Sequence, residues 1–170
     1  MASPERASSS TQPELGPIQL LDRALIESTV ARAVSSPRLR TNYNFHPDAE
    51  SNPHRFLNAL VRGTYCAPHR HSDPPKSETF LVLEGEVAVF LFGDDGAVVG
   101  RHVLGRAGLR GIDISPGHWH SIAALTDTAV CFEVKPGPWV PATDKEFAPW
   151  APRESEPGTA EYLARLIASL

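Results

Sequence analysis

From residue 38 to residue 135 the chain is cut into short apolar runs separated by turn residues, and this constrains its fold more than any other feature. Leu39, Thr41, Tyr43 and Phe45 alternate with Arg38, Arg40, Asn42, Asn44 and His46. A period of two means a strand, here with one apolar or aromatic face and one wholly polar face. Residues 55–62 and 63–71 read as two further extended runs. Residues 79–83 and 87–92 are dense in apolar side chains and are joined by Glu84-Gly85-Glu86, so they read as strands buried on both sides. Gly93-Asp94-Asp95-Gly96 is a hairpin turn, because Asp and Gly tolerate the backbone such turns require. Strands follow over 97–104, 112–114, 120–125 and 130–134. About nine or ten short strands with close turns fit an all-β sandwich or barrel built of hairpins.

The flanks differ from this pattern. Residues 1–16 are rich in Ser, Pro and Glu and are expected to be a flexible tail, since they bury too little apolar surface to offset ordering. Leu21, Leu25 and their neighbours stand near helical spacing over 18–34, which predicts a helix ended by Ser35-Ser36-Pro37. After Pro136 comes a Pro-rich wrap with Trp139 and Trp150. A closing helix follows over 156–170, with Tyr162, Leu163, Leu166 and Ile167 on one side. The expected organisation is one domain over 17–170, with a core barrel at 38–136 and a wrap and helix at 137–170.

Composition narrows the class. Hydrophobic residues make up 41% and charged residues 21%, as in ordinary globular domains. The net charge of −4 leaves no basic excess to neutralise phosphates, so nucleic acid is not an expected partner. No apolar run approaches the roughly 20 residues that cross a bilayer, and the polar N-terminal stretch has no apolar segment of a signal peptide. A cytoplasmic protein is the expectation. Cys66 and Cys131 fit a reducing compartment better than a disulfide framework.

The chemistry concentrates in two clusters. Pro68-His69-Arg70-His71 sets two imidazoles two residues apart, on one face of a strand, where both can reach one ion. Glu78 opens the next apolar strand, and Pro116-Gly117-His118-Trp119-His120 delivers histidine from a tight turn into a strand. Three imidazoles and a carboxylate make a mixed nitrogen and oxygen set suited to Zn, Fe(II), Mn, Ni or Co. Further coordination positions would be open to water or substrate. His118 stands two residues before His120, so a site of His69, His71, His118 and His120 is the alternative to one that uses Glu78.

Gly63-x5-His69-x-His71-x6-Glu78-x6-Gly85 resembles the first motif of the cupins, and Pro116-Gly117-x2-His120 resembles the core of the second. The resemblance implies a single cupin domain, a double-stranded β-helix or jelly-roll barrel, with one divalent metal on His69, His71, Glu78 and His120. The gap from His71 to Glu78 is longer than the usual three or four residues, and Ser115 and Ala124 stand where the second motif carries Pro and Asn. Residues 38–46, 55–65 and 141–152 are similar to WbuC-type cupins, bacterial proteins associated with surface-polysaccharide synthesis loci. Barrel edge strands often pair between subunits in cupins, so a homodimer through the strand near 38–46 is expected.

Around the metal, Arg38, Arg40, Asn42 and Asn44 offer directional hydrogen bonds for a carboxylate, phosphate or hydroxyl-rich ligand at the barrel mouth. Tyr65 shares the parity of His69 and His71 and is expected to point inward, and Cys66 to point away. Glu133 and Lys135 share a face with Cys131, either at the surface or near the pocket. The expected function is a metalloenzyme acting on a small polar or sugar-like molecule. In an isomerase or epimerase reaction His46 or Tyr65 would move protons. The rival readings are a non-catalytic small-molecule binder or sensor, an Fe(II) dioxygenase, and a cupin whose metal only staples the barrel.

Overall fold

The computed structural model describes residues 15–105 and 108–170; most of the expected N-terminal tail lies outside them. Helix α1 (Arg23–Val34) begins at Arg23 rather than at Ile18. Asp22 is its cap: the carboxylate accepts the Leu25 N–H at 2.9 Å. Ten strands follow. They are β1 (Arg40–Asn44), β2 (His54–Val61), β3 (His69–Arg70), β4 (Glu78–Glu84), β5 (Val87–Phe92), β6 (Val98–Leu104), β7 (Gly111–Ile114), β8 (Trp119–Ala124), β9 (Thr128–Lys135) and β10 (Glu146–Phe147). Helix α2 (Thr159–Ala168) closes the chain.

Two five-stranded sheets pack face to face, in the orders β1-β2-β9-β4-β7 and β10-β3-β8-β5-β6. Every strand pairing among the described residues is antiparallel, as hairpin connections require. With a helix at each end, this is a cupin-like jelly roll. Gly85 makes the β4–β5 turn at φ +74°, and a Cβ there would collide with the Thr128 carbonyl.

Strand parity sorts the side chains into three layers. Between the sheets, Leu60, Phe80, Val82, Val87, Val89, Leu104 and Ile122 form the inner core. Outside the first sheet, α1 sets Ile26 and Ala33 against Leu57, Ala59 and Val130. Outside the second, α2 sets Leu163 and Leu166 against Ala88, Phe90 and Ala123. Strand β5 is thus covered on both faces, as its run of apolar residues implies. Strand β4 is not: Leu81 and Leu83 are 48% and 38% exposed. Helix α1 lies over β1, β2 and β9 and leaves the outer side of β4 bare. The extended run expected over 63–71 is also shortened, with only His69 and Arg70 in a ladder.

Leu57 is fully buried under α1. Leu57→Ala is expected to cost about 2–5 kcal/mol through lost burial and the cavity left behind, measurable by denaturant unfolding.

Candidate metal centre

Three strands bring the chemistry together on the inner faces of the sheets. Strand β3 ends beside β8, and His69 pairs in register with His120. Strand β4 begins at Glu78 on the opposite sheet, and its neighbour β9 carries Glu133 and Lys135 on the same inner face. One ligand atom each from His69, His71, Glu78 and His120 lies within 4.8 Å of the others, and all four residues are buried. His118 stays outside this group: it is exposed, with Nδ1 3.2 Å from both the Ser115 and Pro116 carbonyls.

Backbone carbonyls orient each imidazole. His69 Nδ1–H donates to the Ala67 carbonyl at 3.0 Å, His120 Nδ1–H to the His118 carbonyl at 2.9 Å, and His71 Nδ1–H to the Asp144 carbonyl. A carbonyl oxygen only accepts, so each ring carries a proton on Nδ1 and turns its Nε2 inward, the nitrogen left to bind a cation. The three imidazoles gather beside the Glu78 carboxylate. His120 Nε2 is 2.9 Å from Glu78 Oε2 and His71 Nε2 is 3.0 Å from Oε1. The His71 approach is poorly aligned, however, and the Nε2 atoms of His69 and His71 are buried with no hydrogen-bond partner. Buried acceptors without a donor are costly. A divalent cation among them would satisfy all four at once, so the donor set fits a metal such as Zn, Fe(II), Mn or Ni.

The charges behind the ligands form a buried alternating chain. Lys76 Nζ is 2.9 Å from Asp144 Oδ1, Lys135 Nζ is 3.2 Å from Asp144 Oδ2, and the same ammonium is 3.2 Å from Glu78 Oε1. All four residues are buried. Burial alone would raise the Glu78 carboxyl; His120, His71 and Lys135 outweigh it and hold the group well below the usual carboxylate range. Burial likewise opposes the Lys135 charge, but Glu78, Glu133 and Asp144 raise its pKa above the ordinary lysine value. His69 is pushed well below the usual histidine range by burial first and by Lys145 second, so it is neutral and ready to ligate. The long gap between His71 and Glu78 has a use here. It carries Lys76, which also donates to the Pro138 carbonyl at 2.6 Å and so ties the C-terminal wrap to the site.

His69, Glu78, His120, Lys135 and Asp144 line a cavity of about 590 Å³, within the range of small-molecule sites; His71 and Lys76 are not part of the lining. Arg38, Arg40 and Asn42 line it, and Asn44 does not. Both arginines are already engaged, because Glu154 from the wrap sits 3.0 Å from Arg38 Nε and also pairs with Arg40. Arg40 further donates to Thr64 Oγ1 and the Tyr65 carbonyl, at 3.1 and 3.0 Å. These arginines clasp the wrap over the mouth. Burial alone would raise Glu154, yet Arg38 and Arg40 hold it below the usual range. A carboxylate with a lowered pKa stabilises the fold fully above its unfolded value and loses that contribution as pH falls through the folded one. Glu154→Gln is therefore expected to cost about 1 kcal/mol at pH 7 and progressively less as pH falls below the usual carboxylate range, read from denaturant midpoints across an acid pH series.

His46 and Tyr65 do not reach the cavity. His46 stacks on His54, ring centroids 4.1 Å apart, and its Nδ1 accepts the Arg55 N–H at 3.1 Å. Tyr65 donates its hydroxyl to the Pro152 carbonyl at 2.8 Å and packs edge-on against Tyr162. Residues 64–68 pair in no ladder, so strand parity does not carry back from His69. For the same reason Cys66, expected to point away, lines the cavity.

The fold and the cluster define a cupin-type jelly roll with a potential divalent-metal site. The family described as "Domain of unknown function (DUF6016)" matches residues 21–104, a span that includes three of the four clustered residues. No curated protein matches the chain. Among solved structures it is similar to the capsular polysaccharide assembling protein CapF from Staphylococcus aureus, with a TM-score of 0.55 and 21% identity over 66% of this chain. The chain spans 32% of that protein's length. It is also similar to a recombinant oxalate oxidase in complex with glycolate, with a TM-score of 0.52 and 22% identity, covering 75% of this chain and 65% of the other. At these identities the likeness is one of fold. No helix among the described residues is long and apolar enough to cross a membrane.

Proposed function

We propose that the protein is a metal-dependent enzyme acting on a small polar, sugar-like molecule, of the isomerase or epimerase type. One observation carries this reading: three carbonyl-oriented imidazoles, two with Nε2 atoms that have no partner, stand beside a single carboxylate, and His69, His120 and that carboxylate line a cavity of about 590 Å³. A staple that only closed the fold would have no need of such a chamber.

His69, His71, Glu78 and His120 would hold the ion, which when bound supplies a Lewis acid able to polarise a substrate carbonyl. The chain's own residues do the rest. The carbonyls of Ala67, Asp144 and His118 fix the three rings. With His120 and His71, Lys135 keeps Glu78 ionised. The Glu154 clasp with Arg38 and Arg40 holds the wrap across the mouth and limits access of water. Surface-polysaccharide synthesis is the setting that the similarity to WbuC-type proteins implies. The metal-loaded protein is tested against a panel of aldose and ketose phosphates by proton exchange from solvent deuterium oxide. Exchange that disappears in His71→Ala is the expected result. A panel that raises the melting temperature with no exchange would replace catalysis by simple binding.

A further inference from the structure

Opposite the histidines, the inner face of the first sheet carries a pair of polar side chains to which the ligand set assigns no part. Asn58 on β2 and Glu133 on β9 both line the cavity. Asn58 Nδ2 donates to Glu133 Oε2 at 3.0 Å, while Asn58 Oδ1 is buried with no partner. Glu133 is 4% exposed and is set among Phe56 and Phe80, its cross-strand neighbours. We propose that Asn58 and Glu133 form the subsite that receives a hydroxyl group of the metal-bound substrate, which makes that substrate a hydroxyl-bearing compound and not a simple oxo acid.

The argument is one of hydrogen-bond accounting. A buried amide oxygen without a donor costs about 1–3 kcal/mol. Asn42 stands across from it on β1 and Cys131 on β9, and neither supplies a hydrogen bond to the oxygen. A hydroxyl is the smallest group that both donates to Asn58 Oδ1 and meets the second oxygen of Glu133. It also matches the pair if the amide turns over, because it accepts as readily as it donates. Burial, with Glu78 nearby, raises Glu133 to about 8, so at neutral pH the carboxyl offers a donor of its own. A ligand without a hydroxyl at this point would leave the amide oxygen unpaired, which is how a site rejects deoxy analogues strongly.

The subsite rests on the metal reading, and the test separates the two. Protein carrying Zn is titrated calorimetrically with acetohydroxamate, which can only chelate, and with threonohydroxamate, the same chelator extended by hydroxyl-bearing carbons. Wild type is expected to bind threonohydroxamate at least tenfold more tightly. In Asn58→Leu that advantage should shrink to threefold or less while acetohydroxamate affinity stays unchanged. Asn58→Ala serves where Asn58→Leu fails to fold, and the advantage should fall there too. Equal binding of the two probes by wild type, or an advantage that survives in the folded variants, would overturn the subsite and leave the metal site standing. If acetohydroxamate does not bind and Zn is not retained, the metal reading fails and takes the subsite with it.

Discussion

Lys135→Met is expected to remove about 3–5 kcal/mol of stability from the metal-free protein, the loss seen when one partner of a buried ion pair is deleted. Lys135 holds two buried carboxylates at 3.2 Å each, Glu78 on one side and Asp144 on the other. Asp144 keeps Lys76 at 2.9 Å, but Glu78 would be left with the imidazoles alone. The deficit should therefore be smaller with metal bound, because a cation beside Glu78 replaces the missing ammonium. Denaturant unfolding of variant and wild type, each with and without metal, reads both effects. A loss below about 1 kcal/mol in the metal-free state would mean that water reaches these charges and that the buried chain has little energetic weight.

The second large effect concerns the ligands. At free metal about a hundredfold above its dissociation constant, wild type should gain about 2.7 kcal/mol from binding. For a chain of this size that is a rise of about 5–11 °C in melting temperature. His71→Ala and His120→Ala should lose most of this gain, each removing one of the three converging Nε2 atoms. His118→Ala should keep it, since that ring lies outside the cluster. A metal-dependent shift that persists in His71→Ala and vanishes in His118→Ala would invert the assignment.

Much of the fold was readable before any coordinate was known, because period-two alternation and Gly or Asp turns are local signals. The runs at 87–92 and 97–104 and the turn between them are cases in point: β5 and β6 pair across it, with the Gly93 N–H donating to the Ala97 carbonyl at 2.9 Å. The two histidine clusters were legible as local motifs, although His71 lies just past the end of β3 and His118 just before β8, where strand alternation does not hold. What stayed hidden depends on chain topology. Lys76, Lys135 and Asp144 come from a loop, the end of β9 and the C-terminal wrap, and no local pattern joins them. The polar face at 38–46 showed that arginines line up, but not that Glu154 would already hold both of them. Tyr65 and Cys66 were misdirected by parity carried through a segment that forms no strand. Asn58 sat unnoticed within an apolar run, where a lone amide gives no sign that it will face a cavity.

The central claim is that these four side chains hold one ion. The most direct measurement is the metal content, by inductively coupled plasma mass spectrometry, of protein purified without a metal-affinity step. About one divalent ion per chain in wild type, and almost none in His71→Ala, is the expected result. Wild-type protein that carries no metal and takes none up from solution would contradict the claim, as would a His71→Ala variant that retains its full complement.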